Sequence, residues 1–380
     1  MKYAIFTSTI NGRLLALKAR SALQNMLPQL QVDVFVHQKS LGDETEAVEN
    51  NIQSYSRLAL LMEDAFKSYE ALIFIMASGI VVRSIAPYIV SKTSDPAVLV
   101  MDEKGKHVIS LLSGHLGGAN QLASMLAPEL GGEAVLTTAT DVNGLCAPDA
   151  FAQLVHCQPV KPGKLLFFNS SLLAGWSITY LMDKALDCIE KYETVLEAKG
   201  LQYKVVDADT LALYLDNLAA GFKAGAGSAV EKSLYVIVSE NELKQHQRFL
   251  YLKPERLVAG IGCRKGVPKE LVLQALSEAC HTIGWTEKRI DHLASTLVKQ
   301  DEQGLIEAAE TLQLPITFFD NEAMQEKIYG YNLQESAFVK KTIGVGNVCE
   351  AAALCWAGDG VIALPKTKYE KVTVALIWQK

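Results

Sequence analysis

Residues 113–120 read Ser-Gly-His-Leu-Gly-Gly-Ala-Asn, setting three glycines, a histidine and an asparagine between the apolar run HVISLL and the helical pattern QLASMLAPEL. A histidine at such a junction can act as general base, general acid or anion contact, because its charge changes near neutrality. It can equally hold the loop together by hydrogen bonding. Glycine lets a ligand approach the backbone, and the first turn of a helix offers unpaired N–H groups to a carboxylate or phosphate. One tight turn needs fewer glycines than this, so the pattern points to a ligand site made by Ser113, Gly114, His115, Gly117, Gly118 and Asn120. Asp141 closes the next β-rich stretch, EAVLTTATD, and is the candidate to orient His115 or to activate water. Capping of the following turn is its alternative role.

Three other segments share this grammar. They place Ser78, Gly79 and Arg83 in IMASGIVVR, Gly262, Cys263, Arg264 and Lys265 in VAGIGCRKG, and Gly344 and Gly346 in IGVGNVCEAAAL. In open α/β sheets such junctions lie at the carboxyl ends of strands, where ligands bind. The three cationic side chains suit carboxylates, and an arginine can grip one with two parallel bonds. Taken singly, each turn is better explained by the geometry of a strand entering a helix than by a ligand. The GIGCRKG glycines spell GxGxxxG rather than the dinucleotide GxGxxG, and Asp291 lies too far downstream to be its acidic partner. Cys263, beside two cations at a helix start, has the setting of an activated thiol, although packing is the commoner role of such a residue. The histidines show no HxxxH spacing and the cysteines no CxxC pair, so no protein metal site is expected.

These turns need elements to hold them. KYAIFTS, NGRLLALKARSALQNML and VDVFVH read as a βαβ opening, and the polar stretch SLGDETEAVENN leads to the helical YSRLALLMEDAFKSY. ALIFIM then suits a strand buried on both faces, and AVLVM and HVISLL flank Asp-Glu-Lys-Gly as a hairpin. In the middle, LQYKVVDADTLALYLDN and KSLYVIVS read as strands separated by AAGFKAGAGSA. Further on, RLVAGIGC is a strand, PKELVLQALSEAC and DEQGLIEAAETLQL are helices, and ITFF is a strand. KTIGVGNVCEAAALCWA reads as strand, glycine turn and helix, and DGVIALPKTKYEKVTVALIW as two closing strands. The expected class is α/β in three parts: an N-terminal α/β sandwich over 1–145, a small central α/β or linker domain over 146–253, and a compact C-terminal α/β domain over 254–380.

Composition narrows the function. The chain of 380 residues is 49% hydrophobic and 21% charged, as in an ordinary globular protein. Its formal charge of −6 gives no global attraction to nucleic acid, while leaving room for a local basic pocket. No apolar run is long enough to span a membrane, since ALIFIMASGIVV meets Arg83, and the first residues read as a strand rather than a signal peptide. Seven scattered cysteines argue for reduced thiols in a cytoplasm.

Two blocks, from ALIFIMASGIVVR to TTATD (71–141) and from LVAGIGCRKG to TVALI (257–377), closely resemble the CbiG family, the cobalt-precorrin-5A hydrolases of anaerobic cobalamin biosynthesis. The second block also resembles the stand-alone protein CobE of the aerobic pathway. Asn347 and Cys349 depart from the serine and alanine that the resemblance leads one to expect. The resemblance implies a hydrolase that opens the δ-lactone between the ring A acetate and a meso carbon, with a two-carbon fragment leaving as acetaldehyde to give cobalt-precorrin-5B. It implies that cobalt arrives with the macrocycle, so that no cofactor of the protein's own is needed. On this reading His115 activates water, backbone groups of Gly117 and Gly118 stabilise the oxyanion, and Arg83, Arg264 and Lys265 hold peripheral carboxylates. The expected partner is the tetrapyrrole, with no nucleic acid or membrane. Self-association and contact with neighbouring pathway enzymes are compatible with it. A non-catalytic tetrapyrrole carrier and a nucleotide-dependent enzyme using GIGCRKG are the alternatives.

Overall fold

The computed structural model describes residues 2–27, 30–41, 52–91, 94–115, 117–223, 232–241, 244–358 and 360–379. Most of SLGDETEAVENN, most of AAGFKAGAGSA, and Leu116 lie outside the described residues. Contacts divide the chain into two compact units, Met1–Gln153 with Phe168–Ala174, and Leu154–Phe167 with Gly175–Lys380.

The first unit is built on seven strands: β1 (Lys2–Thr7), β2 (Gln31–His37), β3 (Ile52–Tyr55), β4 (Ala71–Ile75), β5 (Ala97–Met101), β6 (His107–Leu112) and β7 (Glu133–Val135). Their order is β3-β2-β1-β4-β5-β6-β7, so the chain winds outward from β1 in one direction and then resumes on its other side at β4. Helices α1 (Ile10–Met26) and α4 (Ala119–Leu130) bury Leu15, Ala19, Leu23, Leu122 and Leu126 against one face. Helices α2 (Met62–Ser68) and α3 (Ser78–Ile85) bury Met62, Ala65, Val81 and Ile85 against the other. Both faces are thereby covered, which is why AVLVM and ALIFI are apolar at every position. The hairpin expected around Asp102 is present. Its carboxylate accepts the N–H groups of Lys104 at 2.9 Å and His107 at 2.8 Å, and β6 returns antiparallel to β5. β7 then runs parallel to β6, joined through α4.

The second unit holds two five-stranded sheets. The central one has β8 (Cys157–Pro159), β9 (Ser177–Asp183), β10 (Gln202–Val206), β11 (Ser233–Val238) and β12 (Phe249–Pro254), in the order β10-β9-β11-β12-β8. The other has β13 (Leu257–Cys263), β14 (Ile290–Thr296), β15 (Ile316–Phe319), β16 (Gly360–Lys368) and β17 (Val372–Gln379), in the order β15-β14-β13-β17-β16. Arg289, 3% exposed, ties them together. It donates to Asp291 at 2.8 Å and to the Glu255 carbonyl, and lies over the Trp378 ring on which His156 stacks.

Two segments read as strands are helices. ADTLALYLDN belongs to the helix Ala208–Lys223, where Leu211, Leu215 and Ala219 recur at helical spacing and are buried together. KTI ends a helix over Ala337–Ile343, which Ser336 caps by accepting the Val339 N–H and Gly344 terminates at φ 98°.

Candidate functional site

The strand–helix–strand unit β6–α4–β7 is parallel, so its two strands end at the same edge of the sheet. That edge receives both SGHLGGAN and TTATD. His115 Nε2 lies 3.2 Å from Asp141 Oδ2 and 3.3 Å from Thr140 Oγ1. Asn120 Nδ2 donates to the same Asp141 oxygen at 2.7 Å and to Thr138 Oγ1 at 3.1 Å. Asn120 is 7% exposed and cannot swing away, so it fixes the aspartate that fixes the histidine. With Nε2–H donated to the carboxylate, Nδ1 of a neutral ring carries the lone pair.

The loop glycines answer to the loop itself. A Cβ on Gly114 would come within 2.7 Å of Asn120 Oδ1, and one on Gly117 would overlap Ser113. Gly118 holds φ 83° at the start of α4. These glycines thus have a packing reason within the loop, apart from any ligand. The helix start is closed in the same way: Gly118, Ala119 and Asn120 N–H groups donate to the carbonyls of His115, Ser113 and Gly114 at 2.9, 3.1 and 2.9 Å. Gly118 therefore cannot supply the oxyanion donor expected of its backbone. The Gly117 N–H has no acceptor among the described residues. Ser113 takes φ 57°, and its buried Oγ has no hydrogen-bond partner among the described residues.

Ser78, Gly79 and Arg83 sit elsewhere. They follow β4, which runs opposite to β6, so they occupy the other edge of the same sheet. At about 3.3 Å per residue, the six residues of β6 set the two edges roughly 20 Å apart. Ser78 lines a cavity of about 700 Å³ together with Ser8, Thr9, Met76 and Met101. This lies where the chain order reverses between β1 and β4, the crevice in which doubly wound sheets take their ligands. Arg83 Nη1 donates to Gly79 O at 2.8 Å. Ser8 and Thr9 escaped the sequence reading because TSTING has no excess of glycine or charge; the βαβ opening was the available signal.

In the second unit, the end of β13 packs against the start of the helix Cys349–Ala357 and the residue before it. Gly260 packs against the Cys349 carbonyl, and Val348 lies beside Gly262. Gly260 and Gly262 thus serve close packing of the strand, while Gly266 supplies a turn at φ 70° with open space around it. Cys263 ends β13 and is not at a helix start, since that helix begins at Lys269. Burial pushes its thiol up to about 11, against the pull of Lys299. That is the opposite of the activation its cationic neighbours suggest. Arg264 and Lys265 are exposed. Gly346 N–H donates to Glu335 at 3.1 Å, and Gly344 abuts Asn321, so both belong to the turn's own scaffold. Buried Asn347 donates to the Gln334 carbonyl at 3.1 Å and to buried Glu350, a residue the sequence did not single out. Among the described residues, no three His, Cys, Asp or Glu side chains gather to hold a metal, and no helix is long and apolar enough to cross a membrane.

Comparison with known proteins adds the family. Residues 60–141 match the family described as Cobalamin synthesis G N-terminal, and residues 257–377 match Cobalamin synthesis G C-terminus. A cobalt-precorrin-5A hydrolase of Salmonella typhimurium is 35% identical over 299 residues, covering 76% of each chain. One from Priestia megaterium is 28% identical over 349 residues, 91% of this chain and 88% of that one. A cobalamin biosynthesis protein G homolog from Sulfolobus solfataricus superposes with a TM-score of 0.54 at 19% identity over 100% of this chain and 97% of that one, and so shares the fold.

Proposed function

We propose a division of labour for a chain that belongs to the cobalamin synthesis G family. It is a cobalt-precorrin-5A hydrolase. The observation that carries the catalytic reading is the His115–Asp141 contact of 3.2 Å, braced by Asn120. His115 Nδ1 takes a proton from water as the water oxygen bonds to the lactone carbonyl carbon, and Asp141 stabilises the imidazolium that forms. The Gly117 N–H meets the oxyanion in place of the Gly117–Gly118 pair. Collapse breaks the acyl–oxygen bond, the proton returns from His115 to the departing oxygen, and a free acetate and a meso-carbon alcohol result. The alcohol then loses its proton as the carbon–carbon bond joining its carbon to the macrocycle breaks; the two-carbon fragment leaves as acetaldehyde, and the conjugated macrocycle takes up the electron pair and a proton.

Cobalt belongs to the substrate in this scheme. Arg264 and Lys265 bind peripheral carboxylates of the macrocycle, for which arginine in particular is suited. A cytoplasmic location with reduced thiols goes with the reading. Full-length protein supplied anaerobically with cobalt-precorrin-5A should release one acetaldehyde per macrocycle. His115→Ala should bind the substrate and release it unchanged. Tight binding with no product from the unaltered chain would replace this reading with that of a carrier.

A further inference from the structure

The register of the last sheet gathers cations that are scattered in sequence. Cys263 pairs with Val372, and Lys368 pairs with Thr373, so the turn after β13 and the turn between β16 and β17 meet at one edge. The Arg264 N–H donates to the Lys371 carbonyl at 3.0 Å, which locks the two turns side by side. Arg264 and Lys265 stand on the first turn, Lys368 and Lys371 on the second, and all four are exposed. Lys366 joins them from β16, its Nζ reaching Gly346 O at 3.4 Å.

Among the described residues none of the five has a carboxylate partner. The neighbouring acids are already engaged. Glu302 holds Lys299 at 3.0 Å and accepts the Gly266 N–H, Glu335 holds Lys340 at 2.9 Å, and Glu350 accepts from Asn347 and the Lys366 N–H. Glu370, in the second turn, Asp301, beyond β14, and Glu278, whose charge acts on Tyr369, are exposed acids near this edge. A chain of net charge −6 thus gathers Arg264, Lys265, Lys366, Lys368 and Lys371, more cations than nearby exposed acids, where β13 and β16 end and β17 begins.

We propose that this edge docks the carboxylate rim of the macrocycle, with Lys366, Lys368 and Lys371 acting beside Arg264 and Lys265. The proposal rests on the tetrapyrrole hydrolase reading and names the part of the protein that recognises the substrate's acidic side chains. Strand ends stand about 4.8 Å apart, so their cations can meet a row of carboxylates one by one. Each exposed contact is weak and screened by salt, and several together give affinity and orientation. Lysine serves here as a flexible point charge that tolerates side chains of differing length.

The test uses the full chain and uroporphyrin, a macrocycle carrying eight carboxylates, titrated by fluorescence at low and raised salt. K265Q/K368Q/K371Q removes three exposed charges and should weaken binding about tenfold at low salt, with wild type converging on the variant as salt rises. K199Q/K232Q/K253Q removes as many exposed charges from the strands and connections of the central sheet and should leave binding unchanged. Equal losses in both variants, no loss in the first, or equal binding of the octamethyl ester would overturn the proposal. If the unaltered chain shows the expected binding pattern yet releases no acetaldehyde, the docking edge stands and the hydrolase reading falls.

Discussion

Asp141→Asn isolates what the carboxylate does for His115. Asp141 Oδ2 faces His115 Nε2 at 3.2 Å and Asn120 Nδ2 at 2.7 Å, so an asparagine in the same pose has two choices. If its oxygen takes the Oδ2 position, both donors keep an acceptor, but the imidazolium formed during reaction loses its counter-charge. If its amide group faces Nε2, the ring must carry its proton on Nδ1, and the lone pair that should attack water's proton is gone. Either outcome removes most of a general-base contribution of about 10²–10⁴, so kcat should fall by roughly 10²–10³, or about 3–4 kcal/mol on the barrier. Substrate contacts are untouched, and KM should hold. Folding stability should drop by no more than about 1 kcal/mol if the oxygen stays toward Asn120. Anaerobic turnover of cobalt-precorrin-5A, with acetaldehyde trapped as a hydrazone, measures the rate. Because the two side chains act as a unit, the double variant H115A/D141N should be no slower than H115A alone. A D141N enzyme within threefold of wild type in kcat would refute the pairing as catalytic.

Other consequences follow from the same geometry. Gly260→Ala would drive a Cβ into the Cys349 carbonyl and should cost about 3 kcal/mol or more, whereas Gly266→Ala, with open space and φ 70°, should cost about 1 kcal/mol; chemical denaturation separates them. Since burial lifts the Cys263 thiol to about 11, its alkylation near pH 8 should run roughly 100-fold slower than that of a free thiol and should accelerate toward that value, as mass-resolved labelling would show. Burial pushes the Glu302 carboxyl upward, but Lys299 and the Gly266 and Val267 N–H groups outweigh it and hold the group below its ordinary value. Its stabilising contribution is therefore full above the unfolded value and vanishes as pH falls through the folded one. Glu302→Gln should consequently flatten the acid limb of the denaturation profile, with the largest difference from wild type at neutral pH.

Periodicity and turn chemistry made the βαβ opening, the Asp102 hairpin and the closing strand pair legible, because each depends on neighbours within a few residues. They failed where tertiary burial decides between two local options: Leu211, Leu215 and Ala219 alternate with enough β-formers to pass for a strand until their shared core appears. The meeting of His115 with Asp141 was implicit in the sequence, since a strand, a helix and a strand joined in parallel must bring both carboxyl ends to one edge. The opposite orientation of the Arg83 turn was implicit too, because a hairpin between β5 and β6 reverses every strand that follows it in the sheet. Treating each glycine turn alone hides this, for a carboxyl end of β6 is an amino end of the sheet that β4 belongs to. The roughly 20 Å between the edges has a chemical consequence. Arg83 cannot neutralise the same carboxylate that His115 works beside, and the cavity lined by Ser8, Thr9 and Ser78 must receive a different part of the substrate or a different ligand. Any cation that helps at the dyad has to come from outside the ASGIVVR turn.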